Sequence, residues 1–347
     1  MPRHVSKKMR IAMVAPCFGP NGGAEVVVQN LTDALLQKGA DVTLFAPADW
    51  KTKAKHIVTL PQSLWNMPDF QNQTETVRRN LILSSQVKVL GCQNDFDIVH
   101  LHVMKYAFVI ANNLNRPSIL TTHNSLSLPT YDLIRSTNAT TVAISKSNKK
   151  RTAGSRVIYN GIPTENIIPS FEKGEYLIAI GRLTFEKGIH EAIKIAKSAR
   201  KKLIIIGRIG VSENRKEYFE KHIKPHIDGK NIIHINEVSH NKIYEYLRKA
   251  SALIFTPLWE EPFGMVAVEA LASGTPVIGF PSGALTELIN DNSIGFLSKH
   301  KNELVRAVNN SDQFDRKKCR RRAEKFDSSI MAEKYLNLYR KIIEKRT

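Results

Sequence analysis

Cysteine is scarce in this chain: Cys17, Cys92 and Cys319 are the only three among 347 residues. They lie far apart, cannot all pair, and show no C-x-x-C spacing. A disulfide framework and a thiolate metal or redox site are therefore excluded, and a reducing compartment fits. Long apolar runs are missing as well. The longest, at 203–207 and 252–259, fall far short of the roughly 20 residues that a membrane-spanning helix needs. Acidic side chains are few beside basic ones, 32 against 51, which leaves a net charge of +19. Such a surface attracts polyanions, so nucleic acid, anionic lipid and phosphorylated small molecules are the candidate partners. No nucleic-acid-binding module signature accompanies the charge, and its densest run, RKKCRRRAEKF at 316–326, reads as a solvated helix face. No D-x-D lies in a context that would hold a cation, and no G-x-G-x-x-G follows the first strand.

What is present is abundant apolar periodicity, 42% hydrophobic residues overall, in a length that suits about two domains. The basic start followed by an apolar run of about seven residues leads into a glycine-rich loop rather than a small-residue cleavage site, so it reads as a strand and not a secretory signal. A cytoplasmic protein is expected, with membrane association as an addition. Strands at 10–15, 41–46, 98–101, 118–121, 141–144 and 156–159 alternate with helical patterns such as 24–38. A segment with two prolines, 160–170, reads as a linker. A second series then runs through strands at 176–180, 202–206, 231–235, 252–255 and 276–279, with helices at 189–199, 241–250 and near 265–272. This alternation predicts an α/β fold: two Rossmann-like domains facing each other across a cleft, each a parallel sheet covered on both faces.

Three stretches carry chemistry. The loop GPNGGAE, 19–25, joins a strand to a helix, where glycines let backbone amides and the helix dipole approach an anion. GRLTFEKG, 181–188, leaves a strand and places Arg182 and Lys187 five positions apart, so that both can converge on one diphosphate. Both are expected to be dispensable for folding. The most informative stretch is PLWEEPFGMVAVEALA, 257–272, where Glu261 and Glu269 form an E-x7-E pattern. Glu269 interrupts an apolar helix, a costly place for an unpaired carboxylate and an apt one for a carboxylate that takes both hydroxyls of a ribose. Glu261 precedes the turn Pro262-Phe263-Gly264, whose amides open that helix. A helix continuous from Glu261 would separate the two carboxylates by about 12 Å, wider than a hydrolase pair.

Together these elements resemble the retaining glycosyltransferases of family 4, which have the GT-B fold, over nearly the whole chain. The resemblance rests on GGAE, on Asp97-Ile98-Val99-His100 and Thr122-His123, on VIYNGIP, on GRLTFEKG, on EPFGMVAVEALASGTPVIG and on SGALTELI. It implies an acceptor-side domain at 1–165, a nucleotide-sugar-binding domain at 166–327, and a terminal helix at 328–347 that crosses back to the first domain. By the same resemblance Arg182 and Lys187 neutralise the donor diphosphate and Glu269 holds the ribose. Glu261, with the amides around Phe263, Gly264 and Met265, holds the donor sugar, and Val238 lies in the base-contacting turn. Gly22 and Gly23 close on the phosphates, and His123 sits beside the transferred sugar. His100 and His102 read as strand-end histidines with local hydrogen bonds. Two residues depart from the family pattern. Asn124 and Asn236 stand where glycine is common, and Asn236 is expected to keep the turn through left-handed geometry.

The expected reaction is metal-independent, retaining hexosyl transfer from a nucleotide-diphosphate sugar, UDP-glucose or another UDP-sugar before GDP-mannose, to an acceptor hydroxyl. No cofactor is expected. Two other readings stand beside it: a non-catalytic nucleotide-sugar binder, and a polyanion- or membrane-surface-binding protein. The basic amphipathic stretch 74–90 is the candidate contact with an anionic membrane.

Overall fold

A computed structural model describes residues 8–19, 22–102, 106–124, 126–210 and 212–345. The chain forms two compact units, one of Met1–Ile162 together with Ser328–Thr347, the other of Pro163–Asp327. Both are α/β and Rossmann-like.

The first unit is built on β1 (Arg10–Val14), β2 (Asp41–Ala46), β3 (Lys55–Val58), β4 (Ile98–Leu101), β5 (Ser118–Thr122), β6 (Thr140–Ala143) and β7 (Arg156–Val157). They pair in parallel in the order β3-β2-β1-β4-β5-β6-β7. Runs such as IAMV and IVHL are buried on both faces, the mark of a parallel sheet sheathed by helices. The helix Gly23–Gln37 buries Val27, Val28, Leu31, Ala34 and Leu35 at helical spacing, and Gly39, at φ +84°, ends it in a conformation that glycine adopts without strain. The terminal helix Ser328–Glu344 belongs to this unit, where it packs against Gly23–Gln37 and buries Met331, Ala332, Tyr335 and Tyr339.

The second unit carries β8 (Tyr176–Ile180), β9 (Leu203–Ile206), β10 (Ile232–Ile235), β11 (Ala250–Phe255), β12 (Val277–Gly279) and β13 (Gly295–Leu297), again all parallel, in the order β10-β9-β8-β11-β12-β13. Strand order reverses between β1 and β4 in the first sheet and between β8 and β11 in the second. Loops at the carboxyl ends of such strand pairs diverge and leave room for ligands.

Several expectations need correction. β3 and β13 are absent from the sequence reading, because KHIV and GFL carry only two apolar residues each, too few to mark a buried strand. The basic run at 316–326 is a solvated face only in part: Lys317, Lys318 and Arg321 are exposed, but three of its arginines are not. Within the helix Arg316–Glu324, Arg316 donates to the carbonyls of Ser170, Ala250 and Arg248, Arg320 to those of Thr164, Ile167 and Ala272, and Arg322 to those of Glu287 and Leu288. Loop and helix-end carbonyls converge on the multidentate guanidinium. The stretch 74–90 does form a helix, Glu75–Gly91, that buries Ile82, Ser85, Gln86 and Val89. Among the described residues, no helix is long and apolar enough to cross a membrane.

Candidate active site

The second unit assembles its candidate residues at the switch point. The loop after β8 carries Arg182 and Lys187, and the loop after β11 carries Trp259 and Glu261. Because β8 and β11 are neighbours, the two loops are stitched together: the Leu258 amide donates to the Glu186 carbonyl at 2.8 Å and the Thr256 hydroxyl to the Gly188 carbonyl at 2.9 Å. Gly188 sits at φ +65°, and a Cβ there would lie 1.9 Å from the Thr256 carbonyl oxygen, so only glycine permits this approach.

Lys187 Nζ donates to Glu261 Oε2 at 2.8 Å, Trp259 Nε1 donates to the same oxygen at 3.1 Å, and the ammonium lies 5.0 Å from the Trp259 ring centroid. The Lys187 and Glu261 side chains are 16% and 9% exposed. Removal of Lys187 would leave a buried carboxylate without its ion-pair partner, a contact that the sequence did not show. Arg182 lies outside this pair. Its side chain is open to solvent and 3.8 Å from Glu186. The loop after β12 braces Glu261 from behind: the Ala284 amide donates to the Glu261 carbonyl at 2.9 Å, and a Cβ on Gly283 would lie 2.1 Å from that oxygen. This gives SGALTELI a structural role that its sequence alone did not suggest.

The helix following this loop starts at Met265, with Gly264 before it at φ +92°. Glu261 is thus outside the helix, and the separation estimated from continuous helical rise does not apply. Phe263 is buried against Phe326, ring centroids 6.0 Å apart, so its side chain is core and only its backbone is available to a ligand. Met265 is half-buried at the first turn. Glu269 is buried one face along, and His240 Nε2 lies 3.0 Å from its Oε1. That hydrogen bond raises the His240 pKa above its ordinary value, against the opposing effect of burial. Sequence reasoning missed both His240 and Trp259, since neither belongs to a spacing pattern. Val238 is half-buried in the segment between β10 and the helix His240–Lys249. Asn236 does not adopt the left-handed conformation expected of it; its side-chain oxygen instead accepts from the Ile209 amide at 3.2 Å.

In the first unit, the candidate residues follow β1, β4 and β5. Pro20 and Asn21 of the glycine-rich loop lie outside the described residues. Gly22 caps the helix Gly23–Gln37, and a Cβ on it would lie 2.1 Å from Glu25 Oε2. The Glu25 carboxyl, at the third helical position, is buried and folds back toward Gly22 and its own backbone amide. Burial pushes its pKa up to about 7. A Cβ on Gly23 would meet no neighbour within 4 Å, so space alone does not require glycine there.

His123 directly follows β5 and is buried, and His102 directly follows β4. The two rings meet at 2.9 Å, His123 Nε2 to His102 Nδ1. His102 Nε2 in turn lies 3.3 Å from His100 Nδ1, which is 2.6 Å from the Tyr339 hydroxyl. Thr121 Oγ1 lies 2.7 Å from His100 Nε2 and 2.8 Å from the Tyr335 hydroxyl. The alternation of side chains along a strand puts His100 with His102, and Thr121 with His123, on one face of the sheet. Tyr335 and Tyr339, four apart on the terminal helix, cover them. Of the three, His100 is bonded across the chain, its Tyr339 partner lying 239 residues away on the terminal helix. Desolvation lowers the pKa of His123 to about 4 and holds those of His100 and His102 well below the ordinary value, so all three rings are neutral at pH 7. Among the described residues, no group of three or more His, Cys, Asp or Glu is placed to hold a metal ion.

Residues 21–166 match the family described as Glycosyltransferase Family 4, and residues 164–326 the family described as Glycosyl transferases group 1. An uncharacterized glycosyltransferase of Methanocaldococcus jannaschii is 27% identical over 72% of this chain and 75% of its own length. The O-antigen chain mannosyltransferase C of Escherichia coli is 22% identical over 98% of this chain and all of its own. Among solved structures, the sucrose-phosphate synthase from Thermosynechococcus elongatus superposes with a TM-score of 0.81 at 17% identity, over 97% of this chain and 100% of that one. Anabaena HepE in complex with UDP and glucose superposes with a TM-score of 0.75 at 19% identity, over 95% and 99%. At these identities the structural likeness bears on fold alone.

Proposed function

The chain belongs to the family 4 glycosyltransferases, with a nucleotide-sugar donor, and from that premise we propose that it transfers a hexose from a UDP-sugar to an acceptor hydroxyl with retention of configuration. The observation that carries this reading is the group at the β8–β11 switch point: two buried carboxylates, Glu261 and Glu269, flank the N-terminus of an apolar helix, with Lys187 drawn onto the first.

In the proposed reaction the leaving group is a nucleoside diphosphate, so the main task is to stabilise developing negative charge. Arg182 and Lys187 supply positive charge, and the amides opening the helix Met265–Ala272 supply oriented dipoles, which together need no metal. Glu269 takes the ribose hydroxyls, exchanging His240 for them. Glu261, with the amides around Phe263, Gly264 and Met265, takes the sugar, and Val238 lies against the base. Gly22, Gly23 and His123 keep the roles that the family resemblance gives them. HepE's complexes with UDP and UDP-glucose support a UDP-sugar donor, whereas the mannosyltransferases among the relatives support GDP-mannose as its competitor. A cytoplasmic location and contact with an anionic membrane belong to the same proposal.

Calorimetric titration with UDP, GDP and ADP, then with their glucose, N-acetylglucosamine and mannose conjugates, tests this reading. Binding of UDP and a UDP-sugar, lost in Glu269→Ala, is the expected result. Selective binding of GDP-mannose would replace the donor. Absence of binding to every nucleotide, with salt-dependent binding to polyanions unaffected by Arg182→Ala, would overturn the transferase reading.

A further inference from the structure

Glu261 is held by two donors on one of its two carboxylate oxygens. Lys187 Nζ and Trp259 Nε1 lie 2.8 and 3.1 Å from Oε2. A carboxylate oxygen offers two lone pairs, so Oε2 is filled. Oε1 has no hydrogen-bond partner among the described residues, yet it is not sealed from solvent. The stem of the side chain runs beside the turn that opens the helix Met265–Ala272, where a Cβ on Gly264 would lie 3.7 Å from Glu261 Cγ. One oxygen of a nearly buried carboxylate is thus anchored, and the other is left to a ligand.

A nucleotide sugar acts differently on the two anchors. The ammonium of Lys187 is a point charge on a flexible stem, and a diphosphate attracts it as a carboxylate does. The Trp259 indole is neutral, a donor only, and carried on a rigid side chain with two rotatable bonds. Its backbone is tied down as well, since the Ser282 hydroxyl, from the loop after β12, donates to the Trp259 carbonyl. When phosphates draw Lys187 away, Trp259 stays on Oε2 and keeps Oε1 directed outward.

We propose that Trp259 is a positioning residue for the donor sugar: its indole N–H holds Glu261 Oε2, so that Oε1 is presented to a sugar hydroxyl. The proposal rests on the reading of Glu261 as the group that meets the sugar. Trp259 acts through that carboxylate and not on the nucleotide, so its effect is confined to the affinity that the sugar adds.

The test compares UDP with UDP-glucose, and GDP with GDP-mannose, by calorimetric titration of the wild-type chain and of Trp259→Phe, which keeps an aromatic face for Lys187 but has no N–H. The nucleoside diphosphate is expected to bind both proteins alike. The sugar conjugate is expected to bind the variant about tenfold more weakly, the cost of one hydrogen bond to a charged group. A general loosening of the loop weakens both ligands together, and that result overturns the proposal, as does an unchanged affinity for the sugar conjugate. The indole N–H region of a ¹H–¹⁵N spectrum gives a second readout that stands even if Trp259→Phe fails to fold. The chain has three tryptophans, Trp50, Trp65 and Trp259, and one indole proton is expected far downfield because it donates to a carboxylate. In Glu261→Gln that signal moves upfield and the sugar's added affinity is lost; a signal that stays in place overturns the proposal. If neither sugar conjugate binds the wild-type protein, the transferase reading falls and takes this role of Trp259 with it. Binding whose sugar-dependent part survives in Trp259→Phe overturns the proposal alone.

Discussion

Lys187 and Glu261, 74 residues apart in sequence, meet at 2.8 Å with both side chains largely withdrawn from solvent. Their pairing follows from topology, since each is carried by the loop at the carboxyl end of one of two adjacent central strands. Trp259 completes the arrangement by donating to the same carboxylate oxygen and lying beside the ammonium. A diphosphate that recruits Lys187 must therefore compete with Glu261 for it.

The two cations of this loop should separate under mutation. Arg182→Ala removes an exposed side chain with a distant partner, so stability should change by less than about 0.5 kcal/mol while donor affinity falls. Lys187→Ala strands the Glu261 carboxylate with only the Trp259 N–H and should cost about 3 kcal/mol. Urea unfolding measured beside nucleotide titration distinguishes the two. Equal stability losses would show that the pair contributes nothing to the fold.

Arg320 should be a fold determinant despite lying in a run of basic residues. It donates to three carbonyls and is 16% exposed, so Arg320→Ala should destabilise the second unit by about 2–3 kcal/mol. Arg320→Lys should rescue little, because one ammonium cannot reproduce the planar fork. Its exposed neighbour Arg321, replaced by Ala, is the control and should have no effect on the urea midpoint.

The histidine ladder should make stability fall with acid. Unfolded histidines take up protons as pH drops through about 6.5, whereas folded His123 resists down to about 4, and burial holds His100 and His102 well below their ordinary value too. Stability is thus present above about pH 6.5 and lost as pH falls toward 4, about 3 kcal/mol from His123 alone. Urea midpoints measured across this range should fall less steeply in His123→Asn. Parallel curves for variant and wild type would contradict the prediction.

Gly188→Ala should be severe and Gly229→Ala mild. Both glycines have positive φ, +65° and +72°, so alanine brings about 1–2 kcal/mol of backbone strain to either. Only at Gly188 would the added Cβ also strike a neighbour, the Thr256 carbonyl, whereas none lies within 4 Å at Gly229. The extra loss at Gly188, about 2 kcal/mol, should appear in thermal or urea unfolding and should disturb nucleotide binding through the Lys187 loop.

The strands legible in the sequence were those with enough apolar residues to establish a period, and β2, β4 and β8 agree with that reading to the residue. Glu269 stood out because a carboxylate inside an apolar helix breaks a pattern. His240 and Trp259 broke none and went unread. The arginines at 316, 320 and 322 were misread because a sequence shows charge but not the carbonyls that the charge will meet.

The amino-acid order by itself determined the alternation of strand and helix, and with it two parallel sheets, because periodicity of apolar side chains is a local property. Tertiary structure decided which distant groups became neighbours: Lys187 with Glu261, Arg320 with three loop carbonyls, Tyr339 with His100. The physical reason is that hydrogen bonds and ion pairs act over about 3 Å, while the spacing in sequence that supplies their partners is set only when the sheets order their strands.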